Sequence, residues 1–186
     1  MRLESTSAKG MLGLALAFAL GLGAIAAPQA RAQSFTVIHN FTGGSDGANP
    51  LSGFLMIGGN LYGTASSGGS SSAGVVFRLS TTGEETVLHE FTGGADGTSP
   101  EGSLVYKAGD FYGTTRLGGA SNSGTVFKVT PKGVETVLYS FTGKADGKNP
   151  VAGLAIDKAG NLYGTTTAGG SSGNGAVFKL AASYFR

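Results

Sequence analysis

One ten-residue string is written three times in this chain at a spacing of about 50 residues: FTGGSDGANP from Phe41, FTGGADGTSP from Phe91 and FTGKADGKNP from Phe141. The text around it recurs as well. LYGT begins at Leu61, FYGT at Phe111 and LYGT at Leu162, followed in turn by VVFRL, TVFKV and AVFKL. A period of this length marks a repeat architecture, in which one supersecondary unit buries its apolar faces against copies of itself. The same fact assigns most of the recurring residues to stacking before any chemistry is considered.

Within a copy the pattern is short, rich in strand formers and punctuated by glycine. In the middle copy, Thr86 to Phe91 alternates so that Val87, His89 and Phe91 share one face of a strand. FTGGADGTSP follows as a loop, with Asp96 able to bond nearby backbone amides. Gly102 to Tyr106 reads as a second strand, Lys107 to Asp110 as a hairpin turn and Phe111 to Thr115 as a third strand. A Gly/Ser-rich connection leads to a fourth, Thr125 to Val129, and the turn Thr130-Pro131-Lys132-Gly133 hands over to the next copy. The first copy shortens the hairpin turn to Gly58-Gly59-Asn60, while the third reads Asp157 to Asn161. Nothing reads as a helix after the first 32 residues.

Four short antiparallel strands in roughly 40 to 50 residues is the arithmetic of a β-propeller blade. The expected fold is therefore all-β: a β-propeller-like array of three four-stranded units, at about residues 36–85, 86–135 and 136–186. The register adds a constraint. Phe35 to Phe41 matches the last strand of a unit, and Ala176 to Leu180 is the strand that should precede it. One unit is thus a strand short while the start of the array has one to spare. Three blades fall below the usual four to eight, which leaves an incomplete or truncated array, the preferred reading, or half of a six-bladed ring shared by a homodimer.

The first 32 residues stand apart from the repeat. Arg2 and Lys9 precede an uncharged run from Met11 to Ala27, and Ala30-Arg31-Ala32 offers the small-x-small pattern of a signal-peptidase site. A cleavable signal peptide at residues 1–32 is expected, with Gln33 as the new terminus and a secreted or periplasmic location. An uncleaved N-terminal anchor is the alternative, because the run is long for a signal and short for a span. Residues 33–186 carry ten basic and ten acidic side chains, so there is no electrostatic footprint for nucleic acid. Cysteine is absent, which removes disulfides, thiolate chemistry and cysteine metal sites together.

The string GTVFKVTPKGVETVLYSFTGKADGKNPVAGLAIDKAGNLYGTTTAGG, from Gly124 to Gly170, resembles the bacterial gloeo/verruco (GloVer) tandem repeat. The likeness runs over essentially all of residues 33–186 and rests on several spaced motifs in a fixed order. It implies export, a propeller-like repeat and often a C-terminal sorting anchor, and it implies no established activity or catalytic residues. With three copies and an ending at AASYFR, the sequence departs from that pattern, and release into the periplasm or medium is expected instead of surface attachment.

Few residues suggest chemistry. Asp46, Asp96 and Asp146 occupy one repeat position before glycine. Converging on an axis they could hold Ca²⁺, which takes several oxygen ligands. The preferred reading is that each ties down its own loop, and no cofactor is then required. His39 and His89 share a position that Tyr139 takes in the third copy, which points to packing between units. Tyr62, Tyr112 and Tyr163, with Thr64, Thr114 and Thr165, could form a ligand platform for a carbohydrate, or could pack as strand residues. Arg116 breaks the repeat where the other copies have Ser66 and Thr167, making it the one candidate for a residue set apart by function. The Gly/Ser connections lack the Lys-Ser/Thr of a phosphate loop, and no nucleophile elbow or catalytic dyad is present. The expected function is a binding or scaffold module for a surface polysaccharide or an exported protein. The alternatives are a propeller-type lyase or hydrolase with a central-funnel site and a purely structural spacer, so the question of enzyme or non-enzyme is left open with binding preferred.

Overall fold

The computed structural model describes residues 33–184, and the repeat body begins at Thr36. The expected leader and its cleavage point lie outside the described residues. Sheet one consists of β1 (Leu55–Ile57), β2 (Asn60–Ala65), β3 (Val75–Ser80) and β4 (Glu85–Glu90). Sheet two consists of β5 (Val105–Lys107), β6 (Asp110–Thr115), β7 (Thr125–Val129) and β8 (Glu135–Ser140). Sheet three has β9 (Ala155–Ile156), β10 (Leu162–Thr166) and β11 (Ala176–Leu180), followed by a 3₁₀ turn at Ala182–Tyr184. Within every sheet the strands pair antiparallel in chain order. The protein is all-β, and its sheets contain four, four and three strands.

Turn chemistry explains the hairpins. Ala108 and Gly109 both have positive φ (53° and 100°) between β5 and β6, the signature of a tight turn whose twist matches the flanking strands. Gly58 and Gly59 serve the same purpose in sheet one. The first strand of sheet two runs from Val105 to Lys107 rather than from Gly102 to Tyr106, because residues 98–104 are drawn off to cross toward sheet one. There Ser99 N donates to Ala73 O at 2.9 Å. Pro100 comes so close to Gly74 that a β-carbon on that glycine would lie 2.5 Å from Pro100 Cδ. Pro150 approaches Gly124 in the same way, at 2.6 Å.

The alternation expected for Thr86 to Phe91 is broken by a bulge. Phe77 pairs with Val87 while the adjacent Val76 pairs with His89, so Leu88 is an extra residue. Two residues then oppose one, and the strand's faces exchange at that point. Val87 packs back with Phe77 and Phe41, whereas His89 sets its ring edge on Phe91, which packs with Val76 in the next cluster forward. Val87 and His89 therefore lie on opposite faces, contrary to the period-two reading. The same bulge recurs between Val126 and Phe127 opposite β8.

The core lies between successive sheets. Phe111, Leu104 and Phe127 of sheet two pack with Val76 and Ala73 of sheet one, and Leu154 and Leu162 of sheet three pack with Tyr112 and Val126 of sheet two. A phenylalanine closes each junction: Phe91 leaves β4 and meets Phe127 edge-on at 5.1 Å, and Phe141 leaves β8 and meets Phe178 at 5.1 Å. Burying such a ring contributes roughly 1.5–3 kcal/mol. Residues 36–41, expected as a fourth strand, form no regular strand, since among the described residues no strand stands where β3 or β7 stands for β4 or β8. Phe41 still meets Phe77 at 5.1 Å.

Candidate functional site

The tyrosine and threonine row lies between units rather than on a common outer surface. Tyr62 on β2 stacks on Phe111 of sheet two with ring centres 4.5 Å apart. Tyr112 on β6 is buried in the cluster it shares with Leu154 and Leu162. Thr64 Oγ1 donates to Gly102 O and Thr114 Oγ1 to Ala152 O, each at 3.3 Å, and each bond crosses to the following unit. Only the third copy presents the row outward. Thr165 is exposed, and Tyr163 donates its hydroxyl to Asp157 Oδ2 at 3.0 Å with Lys179 Nζ 5.6 Å above its ring. Asn161 supplies the strongest of the hydrogen bonds that hold Asp157 down at a pKa of about 2.

The three loop aspartates bind their own loops. Thr92 N and Oγ1 donate to Asp96 at 2.7 and 2.6 Å, and Thr42 and Thr142 do the same for Asp46 and Asp146. Burial works against ionisation of Asp46 and Asp146, yet these bonds outweigh it and hold both below the ordinary value. Among the described residues no group of three or more His, Cys, Asp or Glu is placed to hold a metal ion. Arg116, half exposed, reaches Glu101 Oε1 at 3.4 Å. Its counterparts Ser66 and Thr167 instead donate to the carbonyls of Asn49 and Asn149, at 3.1 and 2.9 Å.

A pairing that the sequence did not bring forward recurs in the first two copies. His89 Nε2 lies 3.7 Å from Asp96 Oδ2, and His39 Nε2 lies 3.8 Å from Asp46 Oδ2. Those imidazole nitrogens, together with Glu85 Oε1 and Glu135 Oε1, are buried polar atoms without a hydrogen-bond partner. Burial, with Asp96 adding to it, raises Glu135 to about 7, and burial lowers His89 against the pull of Asp96. The signal was present in the text: Glu85 and Glu135 follow His39 and His89 by the same interval. In the third copy Tyr139 replaces the histidine and donates to Asp146 Oδ2 at 2.9 Å.

The third sheet is where the array opens. Val76 and Val126 are 0% exposed beneath the following unit, whereas Val177 in the same repeat position is 82% exposed. Beside it a groove of about 240 Å³ is lined by Tyr139, Asp146 and the β11 run from Ala176 to Leu180. Position for position, the corresponding wall at sheet two is covered by β8, and β11 has no fourth strand among the described residues.

The Gloeobacter/Verrucomicrobia repeat profile matches residues 15–184. The chain belongs to that family. The threonine bonds between units, the loop aspartates and the junction phenylalanines described above all fall within the residues that the profile matches. No curated protein matches the sequence. Among solved structures the chain is similar to a candidate 6-phosphogluconolactonase from Bacteroides fragilis, with 23% identity and a TM-score of 0.40 over 67% of this chain and 32% of that one. This repeat chain thus spans about a third of that protein's length, and neither ring closure nor activity is carried across at that level of similarity.

Proposed function

We propose that this repeat protein is an exported, non-catalytic assembly module that binds an extended segment of another exported protein along the open edge of its third sheet. The observation that supports the reading most is the outer edge of β11, which no described strand covers although β4 and β8 cover the equivalent edges of β3 and β7, next to Val177, 82% exposed against 0% for its two counterparts. An edge of this kind takes up an added strand, with main-chain bonds supplying affinity and the neighbouring groove supplying selectivity. A protein partner is favoured over a polysaccharide because Tyr62 and Tyr112 spend their rings on packing between units, leaving Tyr163 without companions for a sugar platform. The stack of four-, four- and three-stranded sheets fits part of a propeller in which the added strand completes a blade.

The test uses a synthetic peptide of residues 135–141, ETVLYSF, whose β8 part fills the corresponding edge of sheet two. It should bind the purified protein, and Val177→Lys should weaken binding by about fivefold, because the peptide's tyrosine would lie directly opposite that position, as Tyr139 lies opposite Val126. Undiminished binding in that variant, or tight binding of oligosaccharides that Tyr163→Ala abolishes, would refute the reading. Export rests on the leader-like residues 1–32 and is checked by the mass of the protein recovered outside the cytoplasm, expected to begin at Gln33.

A further inference from the structure

The structure also names an occupant for this edge. Resting on the reading just given, we infer that a second copy of this chain takes the third-sheet edge, lending its Thr36–Asn40 segment as the fourth strand and seating its first sheet on the third. Two copies arranged head to tail then satisfy both open ends and close as a pair.

The repeat supplies the template. In sheets one and two the edge beside β3 and β7 is filled by β4 and β8. Thr36-Val37-Ile38-His39-Asn40 is the same text, aligned with Thr86 to Glu90 and Thr136 to Ser140. This segment already follows the path of a fourth strand, with no ladder to join among the described residues. His39 meets Phe41 edge-on at 4.7 Å, and Phe41 meets Phe77 at 5.1 Å, the arrangement that His89, Phe91 and Phe127 make at 4.8 and 5.1 Å. The carbonyl of Ile38 lies against Gly83 as that of Leu88 lies against Gly133. Copying the β3–β4 register sets Thr36 opposite Lys179, Val37 opposite Phe178 and His39 opposite Val177, with the bulge at Ile38.

The sheet faces agree with the strand. Phe54 of sheet one is 51% exposed, while Leu104 and Leu154 in the same position are 3% and 8% exposed because a preceding unit covers them. Val177 and Thr165 lack such a cover from the following side. One chain therefore presents both halves of the interface that it uses twice internally. Contacts of this heterologous type form a closed assembly when the rotation closes, and two copies would make six sheets, within the range known for propellers. Local chemistry follows the same logic. Glu85 and Glu135 open the strands that meet the His39–Asp46 and His89–Asp96 pairs, whereas a second copy would bring Phe35 at that position to a junction holding Tyr139 and Asp146. Where the glutamate is absent, so is the histidine.

The chain has no cysteine, so a single introduced pair reports the contact without background. Thr36→Cys and Lys179→Cys proteins, each purified from the producing cell as processed there, are mixed and oxidised. The proposal expects a disulfide-linked pair from the mixture and none from either protein alone, since directly opposed strand residues lie within disulfide reach. Light scattering of the unmodified protein should give twice the chain mass, and Val177→Lys should raise the dissociation constant about 100-fold. A single-chain mass at about 50 micromolar without a mixed disulfide overturns the proposal, as does a double-cysteine chain that closes on itself. A ladder of higher masses overturns the closed pair. If the pair fails while the ETVLYSF peptide still binds, the edge is a binding site and only its occupant is wrong.

Discussion

Gly113 offers the sharpest test of how a unit is packed. It stands directly opposite Phe127 across the β6–β7 pair. A β-carbon added there would lie 2.6 Å from Phe127 Cζ and 3.0 Å from Leu104 Cδ2. Phe127 is fully buried and is held from the side by Phe91 at 5.1 Å, so its ring cannot yield without disturbing the junction with sheet one. Alanine is otherwise the better strand residue, by about 0.5–1 kcal/mol, while overpacking costs about 1–3 kcal/mol. Gly113→Ala should therefore destabilise by about 1–2 kcal/mol, lowering Tm by roughly 2–8 °C. Phe127→Leu alone should cost about 1–2 kcal/mol, but it withdraws the ring edge that fills the space over Gly113. In that background Gly113→Ala should be neutral or stabilising, giving a coupling of about 1.5 kcal/mol in the double-mutant cycle. Urea unfolding followed by far-UV circular dichroism at an unchanged m-value measures all four proteins. A stabilising Gly113→Ala in the unmodified protein, or a coupling below about 0.5 kcal/mol, would mean that the glycine row does not exist to seat the phenylalanine row.

Three further outcomes are expected. Thr114→Val removes the bolt to Ala152 O and should cost about 1 kcal/mol, whereas Thr165→Val, at the exposed end of the row, should cost close to nothing in the same unfolding assay. Because burial raises Glu135 to about 7 from 4.5 and raises Glu85 in the same direction, the folded chain keeps protons that the unfolded chain releases. Stability conferred by these carboxyls should fall as pH rises from 4.5 to about 7. The Glu85→Gln/Glu135→Gln protein should lose that decline in a pH series of urea midpoints. It should retain a rise with pH toward 6.5, because burial lowers His89. Replacing Ala108 by glycine relieves a left-handed φ of 53° and should stabilise by up to about 1 kcal/mol, read as a higher urea midpoint; a loss would show that the alanine is not strained there.

The period and the four strands of the first two sheets were readable because glycine and loop residues punctuate every copy at the same places. Three features were not readable, each for its own reason. The bulge at Leu88 carries no local signature, since Val87, Leu88 and His89 fit an unbroken strand as well as a bulged one, and only pairing with Val76 and Phe77 reveals the exchange of faces. The Tyr62 and Tyr112 rows look like a surface because tyrosine has a polar tip. Yet both faces of β6 are covered by neighbouring sheets, a fact that depends on stacking and not on the strand itself. Residues 36–41 have the sequence of a strand and the path of one, but a strand is defined by its partner, and none of the described residues supplies it. At the loops the local rule sufficed, because Asp46, Asp96 and Asp146 find their donors four residues away in Thr42, Thr92 and Thr142.

The junction phenylalanines bear on how such a gene can change length. Phe41, Phe91 and Phe141 belong by backbone to one strand run and by packing to the next sheet, where Phe77, Phe127 and Phe178 receive them. An in-frame loss or gain of one full period, wherever the break falls, rejoins residues that already hold equivalent positions. The recombined chain meets the same ring contact, the same Thr-to-carbonyl bond and the same proline approach at its new seam. Unequal crossing-over can therefore lengthen or shorten the array without inventing an interface, and the number of copies becomes the most freely inherited property of the fold.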